Sequence, residues 1–482
     1  MNRVMLLYPP GKMYQRSEDR AQCNIDDSAT VTIHACNDLG YAASVLRNEG
    51  YEVFLKDYQT EGKTVDDVKA DLLLFKPDAV FVSITNATIF SDIEFVNEIR
   101  ELRDFRVVLK GAIFFDAEER ILNTLDLSNI DVLIGGESNF VILPVMDYLL
   151  KGKGSPDSIG GIIYSENGEL RKTAFNCWET DLDSLPFPAR DLMNNALYQR
   201  PDTGEPMATI QVSAGCPSSC IYCLTPIISG KRVRMRSVEN VFAEIEECYY
   251  KYNIKSFFFK ADTFTINKDW AIALCDKIIN SPLYGNISFT VNSRTTTLSN
   301  VLCRKLKLAG CFMLAIGFES GSDETLKKIK KGATVADSVN AARMAREAGL
   351  PVFGFFMIGF PWETEEDIKK TLDFALELKP AYVELHIAMP YYGTGLYDYC
   401  REYGTLNDTS YGFDVVNPNT KGTAYLSMER INQLKRGFLL RFYLRPSFIA
   451  DKALDCVRHP NEIKNYAFYA LRLLKNIKGL NK

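Results

Sequence analysis

Short apolar runs separated by amphipathic stretches dominate the first 150 residues. The runs are VMLLY (4–8), YEVFLK (51–56), AVFVSI (79–84), RVVLK (106–110) and DVLIGG (131–136). Between them, apolar positions recur at helical spacing near 37–50, 65–75, 91–104, 116–124 and 138–150. Strands that are apolar throughout are buried on both faces, and their alternation with helices predicts a parallel, doubly wound sheet. The rhythm resumes with longer units from about residue 207. Strands are expected at ATIQVS (208–213), SFFFKA (256–261), SFTVNS (288–293), FMLAIGF (312–318), VFGFFMIGF (352–360) and YVELHIA (382–388). Helices are expected near 237–252, 268–281, 299–309, 335–348 and 364–378. Six such units predict an incomplete (β/α)6 barrel of the TIM type. Between the two patterns, 159–174 reads as a hairpin around Glu166-Asn167-Gly168, and the two prolines of 184–192 predict an extended strand. The expected organisation is α/β: a Rossmann-like domain at 1–150, a connector at 151–206, a barrel at 207–400 and a helical region at 401–482.

In both folds chemistry gathers beyond the carboxyl ends of the strands. The first barrel strand is followed by SAGCPSSCIYCLT (213–225), which places Cys216, Cys220 and Cys223 at C-x3-C-x2-C spacing. Three thiolates this close can hold three corners of a cubic iron–sulfur cluster. The nearest other cysteines are Cys177 and Cys248, so one iron would lack a protein ligand and could bind a small molecule. Glu319 ends the fourth strand and suits either a ribose diol or a salt bridge with a nearby cation. In the first sheet the strand ends carry Ser83 to Thr88, Lys110-Gly111-Ala112 and Gly135-Gly136-Glu137. These glycines are either plain turn residues or places where backbone approaches a ligand. No G-x-G-x-x-G follows the first strand, so a dinucleotide site is not expected.

The net charge, 56 − 61 = −5, argues against a general nucleic-acid binder. No apolar run approaches the roughly 18 residues of a membrane span, and the short apolar start resembles a buried strand more than a secretion signal. Nine of the twelve cysteines lie outside the triplet and read as buried, reduced thiols. With an oxidisable cluster they point to a cytoplasmic setting. Three histidines, His34, His386 and His459, are too few for a histidine-rich metal site. The stretch KRGFLLRFYLRP (435–446) reads as an amphipathic helix docked on the barrel, or as a membrane-surface contact. Zinc would want a fourth ligand beside the triplet, and a passive iron–sulfur electron carrier would need none of the barrel's strand-end residues.

The triplet, with Tyr222 before its last cysteine, resembles the signature of radical S-adenosylmethionine (SAM) enzymes. RMRS (234–237), AGCFMLAIGFESGSDETLKKIKKG (309–332), GFFMIGFPWETEED (354–367) and PYYGTGLYDY (390–399) are similar to that superfamily's later barrel motifs. With the domain in front, the chain resembles the cobalamin-binding radical SAM class, which holds methylases and the anaerobic ring-forming cyclase of chlorophyll synthesis. The resemblance implies a [4Fe–4S] cluster on Cys216, Cys220 and Cys223, with SAM on the open iron. It implies SAM contacts from Tyr222, Arg294, Gly317, Glu319 and Ser320, and a cobalamin cleft lined by Ser83, Thr85, Gly111, Gly135, Gly136 and Glu137. The implied reaction is reductive cleavage of SAM to a 5′-deoxyadenosyl radical, then C-methylation of a small-molecule or lipid-like substrate. Cyclisation or rearrangement without methyl transfer is the alternative. A flavodoxin- or ferredoxin-type electron donor is the implied partner. The D-x-H-x-x-G motif that supplies a histidine to cobalt is absent, because His34 has Thr32 two residues before it and Asn37 three after. Lys110-Gly111 also stands where relatives have a glycine pair.

Overall fold

The computed structural model describes residues 1–16, 32–115, 117–175, 178–407 and 420–458, with 463, 464, 467, 468, 470, 471 and 474 beyond them. The predicted helix at 461–477 therefore lies largely outside the described residues, as does His459.

The first apolar runs form β1 (Arg3–Tyr8), β2 (Glu52–Asp57), β3 (Ala79–Ser83), β4 (Arg106–Lys110) and β5 (Val132–Ile134). They pair in parallel in the order β2-β1-β3-β4-β5, the doubly wound arrangement. Both faces of β1, β3 and β4 are buried: Val4, Leu6 and Phe81 pack on one side, Met5, Leu7 and Val82 on the other. That two-sided burial is why these strands show no polar alternation. The hairpin expected in the connector is β6 (Ile162–Glu166) and β7 (Glu169–Lys172). It continues the first sheet, because β6 pairs antiparallel with β5 through Val132 to Ile134. The remaining connector crosses to the second sheet. Arg190 is buried there, donating 3.0 Å to the Thr209 carbonyl and 2.5 Å to Glu244, which Arg236 also meets.

The second sheet contains β8 (Met207–Gln211), β11 (Ser256–Lys260), β12 (Ser288–Arg294), β13 (Cys311–Glu319), β14 (Val352–Ile358) and β15 (Tyr382–Ile387). Two short strands, β9 (Ser213–Ala214) and β10 (Arg234–Met235), form a separate antiparallel pair. The six run in parallel in sequence order from β8 to β15, and β8 does not pair with β15. The barrel is open, as the pattern predicts. Phe257, Phe259 and Phe289 fill the space beneath the outer helices, with Phe259 and Phe289 stacked at 4.8 Å. Ser237 and Thr364 cap the helices Val238–Tyr252 and Glu365–Leu378 as expected, Thr364 in a full capping box with Asp367.

The helix Met428–Tyr443 settles the choice posed by residues 435–446. Ile431, Phe438, Leu439, Phe442 and Tyr443 join the barrel core, and the Tyr443 hydroxyl donates 2.8 Å to the Val383 carbonyl. That stretch docks on the barrel. Among the described residues, no helix is long and apolar enough to cross a membrane.

Candidate active site

The cysteine loop leaves β8, passes through β9 and returns through β10, so a short antiparallel ladder closes its base. Gly215, just ahead of the first cysteine, has φ +89, and a Cβ there would lie 2.1 Å from the Arg232 carbonyl oxygen. Only glycine fits that turn. The Cys216 N–H donates to the Gly230 carbonyl at 3.1 Å, and the Ile221 N–H donates to the Ile329 carbonyl at 3.1 Å. The loop is thereby fixed to both its own return limb and the segment after β13. The ten described cysteines are all thiols. Burial raises Cys36, Cys248, Cys275, Cys303, Cys311 and Cys400 above the ordinary thiol range, so these six are held as neutral side chains.

Around the loop stand residues from several strand ends. The Glu319 side chain lies at the end of β13, where the register against β14 shifts between Gly317 and Glu319 and the backbone turns to φ +65. A bulge of this kind re-aims a side chain, and a non-glycine residue at positive φ costs about 1–2 kcal/mol. The re-aimed carboxylate accepts a 2.6 Å hydrogen bond from Lys331 Nζ, and both side chains are nearly buried. Of the two roles open to Glu319 from sequence, the salt bridge is the one formed here. A carboxylate keeps further acceptor positions after one such bond. Gly317 makes the pair possible: a Cβ on it would stand 2.5 Å from Glu319 Oε1 and 2.9 Å from Lys331 Nζ. Lys331 also lies 3.4 Å from the Tyr222 hydroxyl, and the Tyr222 ring faces Phe360 at 6.4 Å. Burial, then the charge of Glu319, pushes the Tyr222 phenol well up, so it stays protonated.

Two expected SAM residues have partners within the protein. Arg294 donates to the Cys220 sulfur at 3.3 Å and to the Lys331 carbonyl. Ser320 is fully buried against the helix Glu365–Leu378, its hydroxyl 3.0 Å from that of Thr371. Sequence reading missed Lys331, whose only signal is a run of lysines twelve residues past Glu319. It also missed Glu363, which holds the turn after β14. Its Oε2 accepts the Gly359 and Phe360 N–H groups at 2.7 and 3.1 Å. Burial pushes this carboxyl up to about 8, against the pull of those two N–H groups.

The Glu363 shift has a measurable consequence. Below pH 4.5 both folded and unfolded chains carry the proton. Between 4.5 and about 8 the unfolded chain ionises while the native one does not, so stability falls as pH rises. The full loss is on the order of 5 kcal/mol. Glu363→Gln should lack that slope. Urea unfolding at pH 5 and pH 8 should show wild type losing stability relative to the variant, and parallel profiles would refute the assignment.

At the carboxyl end of the first sheet, Asp38 gathers three partners. Tyr8 donates at 2.5 Å, Ser83 at 2.8 Å, and Lys110 stands 3.6 Å away. Thr85 bonds Thr88 at 2.7 Å. Gly111 and Gly135 serve internal packing: a Cβ would meet Ile84 at 2.8 Å and the Phe114–Phe115 backbone at 2.4 Å. A Cβ on Gly136 would only reach contact distance of Gly161, 3.4 Å from its Cα. Glu137 pairs with Arg234 of β10 through two bonds of 2.5 and 2.7 Å, tying the first sheet to the cysteine loop. His34 stacks on Phe258 of β11, 4.7 Å between rings.

A cavity separates the two sheets, with Asn37, Asp38, Lys110, Glu137 and Asn139 on one wall and Ser213, Lys260 and Asp262 on the other. Three buried polar atoms on these walls have no hydrogen-bond partner: Asn37 Oδ1, Asn139 Oδ1 and Ser213 Oγ. Buried acceptors left unmatched are costly, so these atoms call for donors from a ligand or from water.

A family model described as the radical SAM superfamily matches residues 210–375. An uncharacterized methyltransferase of Pyrococcus horikoshii is 32% identical over 414 residues, covering 85% of this chain and 88% of the relative. The chain belongs to the radical SAM superfamily. A cytidylyl-2-hydroxyethylphosphonate methyltransferase of Streptomyces wedmorensis is 26% identical over 426 residues, 77% of this chain and 78% of that one. Two solved structures share the fold. The radical SAM methyltransferase TsrM of Kitasatospora setae, with cobalamin and a [4Fe–4S] cluster bound, has a TM-score of 0.65 at 19% identity, over 84% of this chain and 76% of that one. The cobalamin-dependent SAM radical enzyme OxsB, with aqua-cobalamin and SAM bound, has a TM-score of 0.72 at 17% identity, over 99% and 72%. Superfamily membership gives the cysteine loop its meaning: the loop itself and the Glu319 bulge at the end of β13 both lie within the matched span.

Proposed function

We propose that this radical SAM protein is a cobalamin-dependent C-methyltransferase acting on an unactivated carbon of a small-molecule or lipid-like substrate. The observation that carries the reading is the position of the cavity. It lies between the cysteine loop and the carboxyl end of the first sheet, with unmatched acceptors on both walls.

The residues fit the groups this requires. Among the described residues, no set of three His, Cys, Asp or Glu side chains is placed to hold a metal ion. A cubic cluster does not ask for that convergence, because each thiolate binds a different iron. Three cysteines on one constrained loop, with a guanidinium donating to one sulfur, are the donor set it does ask for. For cobalamin, the amide N–H groups around its corrin ring would donate to the unpartnered Asn37 Oδ1, Asn139 Oδ1 and Ser213 Oγ atoms. When bound, the cluster supplies one electron for reductive cleavage of SAM to a 5′-deoxyadenosyl radical, and cobalamin supplies a methyl carrier. Glu319 would accept the ribose hydroxyls, Tyr222 and Phe360 would border the adenine, and Lys331 would hold the carboxylate in its orientation. A flavodoxin- or ferredoxin-type protein would deliver the electron.

Two relatives favour keeping ring formation in view. Anaerobic magnesium-protoporphyrin IX monomethyl ester cyclases of Cereibacter sphaeroides and Rubrivivax gelatinosus are 23% and 22% identical over 413 and 424 residues. The deciding experiment is incubation of reconstituted, reduced protein and cell extract with SAM labelled on its methyl group. Methylation predicts 5′-deoxyadenosine together with label on a metabolite carbon. Release of 5′-deoxyadenosine with no label transferred would replace it with cyclisation or rearrangement, and release of neither would overturn both.

A further inference from the structure

Asp262 follows β11 and faces the cysteine loop from the neighbouring strand end. Its Oδ2 accepts the Gly215 N–H at 2.6 Å, and its Oδ1 accepts the Thr225 hydroxyl at 3.2 Å. Gly215 is the residue before Cys216, and Thr225 is two past Cys223 and opens the short helix Thr225–Ile228. One carboxylate therefore grips both ends of the segment that carries all three thiolates. The same side chain lines the cavity between the two sheets.

We propose that Asp262 is a positioning residue that clamps the cluster loop and biases the cluster it holds toward a low reduction potential. The inference rests on the radical SAM reading of the loop. Two physical arguments carry it. The first is geometric: three thiolates must meet three corners of a rigid cube. Beyond the backbone bonds that fix its base, the segment needs its two ends held in register, and two charge-assisted hydrogen bonds to one carboxylate tie the entry at Gly215 to the exit at Thr225. The second is electrostatic. Reduction adds an electron to the cluster, and a nearby fixed negative charge in a low-dielectric site opposes that gain. Arg294 acts in the opposite sense, donating a hydrogen bond to the Cys220 sulfur. Anion and cation thus bracket the loop from adjacent strand ends, β11 and β12.

The test compares wild type, Asp262→Asn and Asp262→Ala as full chains reconstituted anaerobically with iron and sulfide. Asparagine keeps the size and one acceptor but removes the charge. Asp262→Asn should retain most of the wild-type iron and show a higher midpoint potential in a redox titration followed by electron paramagnetic resonance. Asp262→Ala should lose at least half of the bound iron, while circular dichroism matches wild type. A full iron content in the alanine variant would overturn the clamp. An unchanged midpoint in a fully loaded asparagine variant would overturn the electrostatic part. If wild type itself holds no cluster, the radical SAM reading fails, a result distinct from either.

Discussion

Replacing Cys216, Cys220 or Cys223 by alanine is expected to reduce bound iron from about four atoms per chain to a small fraction of that, with loss of 5′-deoxyadenosine formation. The effect should be this large because the three thiolates are not interchangeable supports. Each holds a separate corner, and removal of one exposes a second iron to solvent and oxidation. The loop offers no replacement: the buried thiols of Cys248, Cys275, Cys303 and Cys311 lie within the barrel core, and burial keeps them protonated. Cys248→Ser and Cys275→Ser should therefore leave iron content unchanged, which separates ligand loss from general damage. Iron and sulfide analysis with visible absorption of the reconstituted proteins gives the answer. A full cluster in the triple alanine variant would end the assignment.

The sequence carried the sheets well, for a physical reason. Strands buried on both faces must be apolar throughout, and in Val4 to Tyr8, Ala79 to Ser83 and Phe257 to Phe259 that signal has little competition. The barrel's open edge and the cysteine loop's place after its first strand were legible for the same reason. Three features were not. The 159–174 hairpin was legible as a hairpin but not as part of the first sheet: its second strand, Glu169–Lys172, is fully exposed, and only the pairing of β6 with β5 shows that it extends that sheet. The reason positions 111 and 135 need glycine was not legible, because turn glycines, contact glycines and packing glycines share one letter. Their packing against Ile84 and the Phe114–Phe115 backbone is a tertiary fact. Lys331 is hidden among Lys327, Lys328 and Lys330, all three of which are solvated, the last at φ +54. A lysine run reads as a solvated face, and nothing local shows that one member folds inward to a carboxylate. Asp262 follows β11 directly in the sequence, but its grip on both ends of the loop requires the loop's path.

The Glu319–Lys331 pair should produce the second large effect. Two nearly buried charges 2.6 Å apart have each lost most of their hydration, and each depends on the other for compensation. Removing one partner leaves an uncompensated buried charge, which costs about 3–5 kcal/mol, whereas removing both can be close to neutral. Glu319→Gln and Lys331→Met should each lower unfolding stability by that order, and the double variant should recover much of the loss. SAM affinity should follow a different order. If Glu319 receives the ribose diol, Glu319→Gln weakens SAM binding roughly tenfold or more, about 1.4 kcal/mol per factor of ten, and the double variant does not regain it. Lys331→Met removes the cation but not the acceptor, so its affinity loss should be smaller. Calorimetric titration of SAM into the four reconstituted proteins, beside urea unfolding of the same set, separates the two roles. Stability and affinity moving in step across all four would reduce Glu319 to a structural anion. Restored stability without restored affinity in the double variant would place the ribose contact on the carboxylate that the β13 bulge turns toward the loop.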